Sequence, residues 1–368
     1  MKKLLLGILI SLAILACQQN KSENSMSKIA TKKEVEKSKF KVGILTCLTG
    51  DLGEYGVAIK NSLLLAIDQH KDLFTNIEFI FEDHIYDGKK AISAYQKLKN
   101  HDKVNLIFNW GDGPSDALAP ILEKDRQASL LAYSEDNFTV SSKYLIQVGN
   151  SAKNLSSPLI DYLKEKKFQN ILIIYNPFSY FERINNHLKD ASIKFESLEF
   201  PMGSDFNIII PNIKNKNYDA IGLFLTENDA IQFYKNALKF NLNSAYFGSD
   251  IFDSSKFIKN LPNNSENTVY FTVPHTNEFK NAFLDKYGND YQLGFSSQVY
   301  DLAMLIGKVF NNINIQNLTQ EEIVDLILTY PNGMGAGGEY IVDSKSRKIS
   351  YGSVLKIIKN SKINDFIK

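Results

Sequence analysis

Gly50, Gly53 and Gly56 lie in TGDLGEYGVAIKNSLLLAI at 49–67, between an apolar run, FKVGILTCL, and a run with helical spacing. A glycine-rich turn of this kind presents free backbone N–H groups at a helix N-terminus, where the dipole favours an anion. A dinucleotide pyrophosphate requires G-x-G-x-x-G and an acidic residue about twenty positions on. Here the spacing is G-x-x-G-x-x-G, so the glycine that admits the pyrophosphate is displaced. Two readings stay open: a small-anion site, such as one for a carboxylate, or a tight turn whose glycines serve only the backbone. A second cluster, Gly333-Met334-Gly335-Ala336-Gly337-Gly338, precedes a strand and reads as a turn. The chain has no GxSxG, no P-loop, and no HExxH among its five histidines, so neither a cofactor nor enzymatic activity is expected. Cys47 lies in an apolar strand pattern and reads as a buried, inert thiol.

The elements that must position such residues come from a chain of 368 residues, 44% hydrophobic, enough for two domains. The net charge of +1 gives no basic field, so no nucleic-acid partner is expected. Two cysteines exclude a disulfide framework. MKKLLLGILISLAILAC opens with two lysines and an apolar stretch, Leu4–Ala16, too short to span a bilayer. Residues 1–16 therefore read as a secretory signal. Ile14-Leu15-Ala16-Cys17 resembles the bacterial lipobox, which implies cleavage before Cys17 and an acyl anchor, palmitate included, on that cysteine. The polar stretch that completes 17–39 reads as a flexible tether about 25 Å long on average.

From Phe40 onward, strand and helix patterns alternate. FKVGILTC, NIEFIFED, VNLIFNW, SLLAY and YLIQVG read as strands, with helices over Tyr55–His70, Lys89–Asn100 and Ser115–Arg126. The pattern then restarts, with a helix over Ala152–Lys167 weakened by Pro158, followed by QNILIIYN, SIKFESLEF, NYDAIGLFL, SAYFGS and TVYFTV as strands. Helices at Glu278–Tyr287, Ser296–Asn311 and Thr319–Leu328 follow, with GEYIVD and ISYGSVLKII as closing strands. Two successive βα blocks predict two α/β lobes.

KVGILTCLTGDLGEYGVAIKNSLLLAID resembles the opening of type I periplasmic binding proteins, close to the Leu/Ile/Val-binding branch that serves ABC importers. Asn61 and Leu64–Ile67 match that family's first helix. EDHIYDGKKAISAYQKLKNHDKVNLIFNWG, FQNILIIYNPFSYFE, YDAIGLFL, NALKFNLNSAYFGSD, SSQVYDLAMLIGKVF and GMGAGGEYIVDSKSRKISYGSVLKI resemble its later elements in order, over essentially all of 40–360. The resemblance implies two Rossmann-like lobes joined by a three-segment hinge, with a ligand cleft at the strand carboxyl ends. Lobe 1 is expected over 40–148 plus 275–332, and lobe 2 over 149–274 plus 333–368. It further implies lobe closure on the ligand.

The resemblance also carries site residues. Tyr55 falls at the aromatic pocket position of the first loop. Trp110, Gly113 and Ser115 lie in the WGDGPS loop, where the family binds a ligand carboxylate. Trp110 has lobe core as its alternative place. Ser134 lies in the next strand-end loop, where Glu135 and Asp136 depart from the family's small residues and leave two options, a cationic ligand or an acid pointing away to solvent. Tyr180 matches the second-lobe tyrosine, and Thr226 sits at the next strand end. Asp250 matches the acid that pairs with a ligand ammonium, with the N-cap of a helix at 252–260 as its alternative role. The function implied is a lipid-anchored, extracytoplasmic solute-binding protein, taking a small polar, amino-acid-like ligand and handing it to an ABC permease in the inner membrane. The alternative is a lipoprotein of the same fold that regulates cell-wall synthesis or senses through protein partners.

Overall fold

The computed structural model describes residues 39–135, 138–139, 141–290, 292–313 and 318–367. The signal stretch, Cys17, the tether before residue 39 and Asp136 lie outside the described residues.

The first block runs β1 (Phe40–Thr46), α1 (Gly53–Gln69), β2 (Ile77–Asp83), α2 (Gly88–Lys97), β3 (Leu106–Trp110), α3 (Asp112–Lys124), β4 (Ser129–Ala132) and β5 (Leu145–Val148). The second runs α4 (Ala152–Lys166), β6 (Ile171–Tyr175), α5 (Ser179–Asp190), β7 (Glu196–Glu199), α6 (Ile210–Asn215), β8 (Ala220–Phe224), α7 (Glu227–Lys239), β9 (Ala245–Gly248), α8 (Ser255–Asn260) and β10 (Val269–Thr272). Then come α9 (Asn277–Tyr287), α10 (Leu293–Phe310), α11 (Gln320–Leu328) and the strands β11 (Gly333–Gly335), β12 (Gly338–Asp343), β13 (Lys348–Tyr351), β14 (Val354–Lys359) and β15 (Lys362–Asp365).

Two sheets result, one per lobe. The first has the order β11-β12-β13-β5-β4-β3-β1-β2, and the second β15-β14-β10-β9-β8-β6-β7. β1 to β5 pair in parallel, so helices cover both faces and the strands are apolar on both sides. Phe40, Val42, Ile44 and Leu45 in β1 are accordingly all buried. The second lobe packs its own aromatic core, with Phe181, Phe224, Phe247 and Phe252 in one cluster.

The chain crosses between the sheets three times: after β5, after β10 and between β13 and β14. The third crossover corrects two expectations. ISYGSVLKII is not one strand; it breaks at Gly352-Ser353. Residues 333–351 also join the first sheet rather than the second, because β13 pairs in parallel with β5. Asn150 ties the first and third crossovers together. Its Oδ1 accepts from the Tyr351 N–H at 2.9 Å and its Nδ2 donates to the Gly352 carbonyl at 3.3 Å.

The glycine cluster at 333–338 is read as a turn from sequence, but the structure makes it mostly a hairpin: Gly333–Gly335 form β11, Gly338 opens β12, and the turn itself is Ala336-Gly337. It wraps around Asp301 of α10, whose carboxylate accepts from the Ala336 and Gly337 N–H groups at 2.6 and 2.8 Å. A Cβ at Gly335 would lie 2.4 Å from that carboxylate.

Candidate ligand cleft

In the first-lobe loop, the donors ahead of the glycines are already in use. Asp83, at the end of β2, accepts from the Leu48 N–H at 2.9 Å, the Thr49 hydroxyl at 2.5 Å and the Ile85 N–H at 2.9 Å. Gly56 sets how closely α1 lies on β1, since a Cβ there would meet the Cys47 carbonyl oxygen at 1.9 Å. Cys47 is fully buried, and burial pushes its thiol up to about 12. From this loop Leu52 and Tyr55 face the cleft, and Tyr55 forms part of its wall.

That wall is aromatic. Tyr55 stacks on Trp110 with ring centroids 5.3 Å apart. Tyr86 meets Trp110 edge-on at 5.6 Å, and reaches Phe178 of the second lobe at 5.8 Å. Phe295 of α10 completes the group at 6.0 Å from Trp110. Offset and edge-to-face pairs of this kind add to the apolar area they bury. Trp110 is half-buried, packing against the first-lobe core on one side and lining the cleft on the other.

Tyr86 was not singled out by sequence reasoning. Its backbone has φ +62°, next to Ile85 at φ +44°, and non-glycine residues rarely adopt such values. His84 holds the turn: its Nδ1 accepts from the Tyr86 N–H at 3.0 Å and its Nε2–H donates to the Trp110 carbonyl at 3.1 Å. Burial lowers the His84 imidazole to about 4, so it stays neutral, as this pair of bonds requires. Gly111 makes room; a Cβ there would stand 2.5 Å from the Tyr86 ring. No propensity rule flags a tyrosine for this turn. Only the positive φ marks it.

These rings, with residues of β4, β5, β10, α10 and the turn after β9, line a cavity of about 140 Å³ between the lobes. A cavity of about 150 Å³ holds one benzene ring. Tyr55, Trp110, Ser134, Tyr180 and Asp250 all line it. Gly113, Ser115 and Thr226 do not, and these three expectations are corrected. Gly113 lies inside the first turn of α3. Ser115 turns into the lobe, where its Oγ accepts from Asn109 Nδ2 at 2.8 Å. Thr226 caps α7, its Oγ1 accepting from the Asp229 N–H, while its own N–H donates to Asn176 Oδ1 at 2.7 Å.

Asp250 begins a short 3-10 turn after β9. Its alternative role as a helix cap falls to Ser254, whose side chain accepts from the Phe257 N–H at 3.2 Å. The Tyr180 hydroxyl donates to Asp250 Oδ1 at 2.9 Å. Desolvation by the cavity walls raises the Asp250 carboxyl to about 6, with the Tyr180 hydroxyl opposing the shift and Asp253 adding to it. Among the described residues no Lys, Arg or His pairs with it. A desolvated carboxylate without a cation is costly, and a cationic ligand removes the cost.

Glu135, which departs from the family pattern, has a protein partner and so do its acidic neighbours Asp112 and Asp116. Arg183, on α5 of the second lobe, donates from Nη1 to Asp112 at 2.5 Å, from Nη2 to Asp116 at 3.0 Å, and from Nε to Glu135 at 2.8 Å. Its guanidinium also lies 4.7 Å from the Tyr133 ring centroid. Asp112, Asp116, Tyr133 and Glu135 belong to the first lobe, so one arginine clamps the two lobes together at the rim of the cavity. Ser134 is engaged in the same cluster: its N–H donates to Asp112 Oδ1 at 2.9 Å, and its hydroxyl donates to Asp112 Oδ2. Sequence reasoning missed Arg183 because its partners lie 48 to 71 residues away.

Comparison with known proteins agrees with this architecture. A family model described as periplasmic binding protein matches residues 39–349. No curated protein matches. Among solved structures, the chain is similar to the leucine binding protein LivK of Thermotoga maritima, with 17% identity, 89% of this chain and 97% of that one covered, and a TM-score of 0.76. It is similar to LivJ of Streptococcus pneumoniae in complex with isoleucine, at 18% identity, 89% and 98% coverage and a TM-score of 0.78. A solute binding protein of an ABC transporter from Rhodopseudomonas palustris BisB5, in complex with 3,4-dihydroxy benzoic acid, gives 16% identity, 89% and 96% coverage and a TM-score of 0.78. The chain belongs to the periplasmic binding protein family, whose members bind solutes outside the cytoplasm.

Proposed function

We propose that this protein captures a small solute bearing an ammonium group, of amino-acid size, by closing its two lobes on it, and delivers it to an ABC permease of the inner membrane. The observation that carries the reading is Asp250, a carboxylate on the cavity wall with a tyrosine hydroxyl for support and no protein cation. In the proposed closed complex Tyr55, Trp110, Ser134 and Tyr180 surround the solute. Relatives of this fold hold solutes as different as isoleucine and a benzoic acid, so the fold leaves the ligand to the wall residues.

The same proposal places Cys17 in the membrane through acyl chains, with the stretch up to residue 39 as the tether. Two acyl signals give stable anchoring where one gives only reversible binding. Replacing Cys17 with Ser is expected to move the protein from the membrane fraction to the soluble one. An unchanged distribution would remove the anchor from the account.

The chain holds one tryptophan, Trp110, and it lies in the cavity wall. Its fluorescence therefore reports occupancy directly. Titration of the purified protein with a solute panel is expected to give a saturable change in Trp110 emission. Saturable binding reported by calorimetry with no change in emission would place the ligand elsewhere.

A further inference from the structure

Among the described residues the cavity wall carries two charged side chains, Asp112 and Asp250, and both are acids. Ser134 and the nearby Arg183, which could meet a ligand carboxylate, are already engaged. Ser134 gives both its N–H and its hydroxyl to Asp112, and Arg183 is shared among three first-lobe acids. What remains is neutral. Gln292 and Gln298 line the cavity, are more than nine-tenths buried, and their Nε2 atoms have no hydrogen-bond partner. Gln292 also holds a backbone φ of +51°, a conformation kept only where the surroundings enforce it.

We infer that the cleft takes a small organic amine with no free carboxylate: its ammonium on Asp250, its apolar body among Tyr55, Trp110 and Phe295, and any acceptor it carries on the amides of Gln292 and Gln298. The inference rests on the solute-capture reading and narrows it. Three physical arguments support it. A cation is attracted both to the Asp250 carboxylate and to the faces of the surrounding rings. A ligand carboxylate would be desolvated beside two acids with no cation on the wall, which is the costly arrangement for a buried charge. A neutral carbonyl, by contrast, satisfies the two glutamine donors and leaves no charge unpaired.

The test uses matched sets of probes that differ only at the carboxylate. Leucine, leucinamide and isoamylamine form one set; phenylalanine, phenylalaninamide and phenethylamine form another; benzoate stands for the anions. Affinities are measured by calorimetry on the purified protein. The amides and amines are expected to bind at least about tenfold more tightly than their amino acids, and benzoate not to bind. Asp250→Asn, which keeps the size and the Tyr180 hydrogen bond, is expected to lose about 10- to 100-fold in amine affinity. Tyr180→Phe provides a second variant that leaves the charge in place, and it is expected to lose less. If the amino acids or benzoate bind as tightly as the carboxylate-free probes, the inference is overturned and solute capture stands. If no probe of either kind binds to the folded protein, the inference is also overturned; solute capture falls with it only when nucleosides, sugars and cell-wall peptides are silent too.

Discussion

At the residue scale, the role proposed for Asp250 in ligand recognition comes at a cost in stability. Its carboxyl titrates near pH 6 when folded, against an ordinary value of 3.8. The unfolded chain releases that proton first, so between these values the folded state holds a proton that the unfolded state does not. The contribution to stability is therefore complete below the unfolded value and is lost as pH rises through about 6. Asp301, also raised to about 6 by burial, behaves the same way, so the variant must be compared with the wild type at each pH. Asp250→Asn is expected to make the ligand-free protein more stable by about 1–3 kcal/mol at pH 7.5, with the gain vanishing near pH 4. Urea unfolding of the two proteins at several pH values checks both sign and trend. A variant less stable than the wild type at pH 7.5 would mean that the carboxylate has an internal cationic partner.

At the scale of elements, two contacts set where the walls stand. The first is the approach of α1 to β1 at Gly56. Gly56→Ala must push the helix off the Cys47 carbonyl, a backbone obstacle that cannot turn aside. A loss of about 3 kcal/mol or more is expected in urea unfolding; a neutral result would show that helix and strand are free to separate. The second is the Arg183 clamp. Arg183→Met leaves the first-lobe acids facing an apolar side chain, and opening the cleft returns them to water. The ligand-free variant is expected to show a larger radius of gyration by small-angle scattering, and about tenfold weaker ligand binding, equivalent to ~1.4 kcal/mol. The difference should shrink at high salt, because Asp116 and Glu135 are partly exposed. An unchanged radius would show that the lobes are held by something other than this ion cluster.

These elements also show what the sequence could disclose. β1 through β5 were legible because parallel strands buried on both faces read as unbroken apolar runs bounded by turns. Tyr55, Trp110, Tyr180 and Asp250 were legible as strand-end or turn residues in family motifs, and the structure gathers them on one cavity. Gly113, Ser115 and Thr226 sit in equally suggestive loops, but a difference of a residue or two in register turned Ser115 into the lobe and made Thr226 a cap. Tyr86, Arg183 and the placement of β11 to β13 depend on pairings across the fold. Local patterns carry no record of such pairings, so the late strands were assigned to the wrong lobe and the clamp was not seen.

At the scale of the whole molecule, two lobes with separate cores meet over a small aromatic cavity and are joined by three crossovers. Asn150 links two of those crossovers, so bending at one is coupled to bending at the other. This arrangement allows the lobes to open and close as bodies while the cores stay packed. The measurement that tests the account most directly is a thermal-shift panel of amines, amides, amino acids, nucleosides, sugars and cell-wall peptides on wild type and Asp250→Asn. A ligand at a hundred times its dissociation constant adds about 2.7 kcal/mol to the folded state, which moves the midpoint by about 4 °C at an unfolding entropy of about 2.1 cal/mol/K per residue. The account predicts a saturable rise with an amine-bearing compound in the wild type and a rise of about half that size or less in the variant. A rise of equal size in Asp250→Asn, or no rise with any compound, would contradict it.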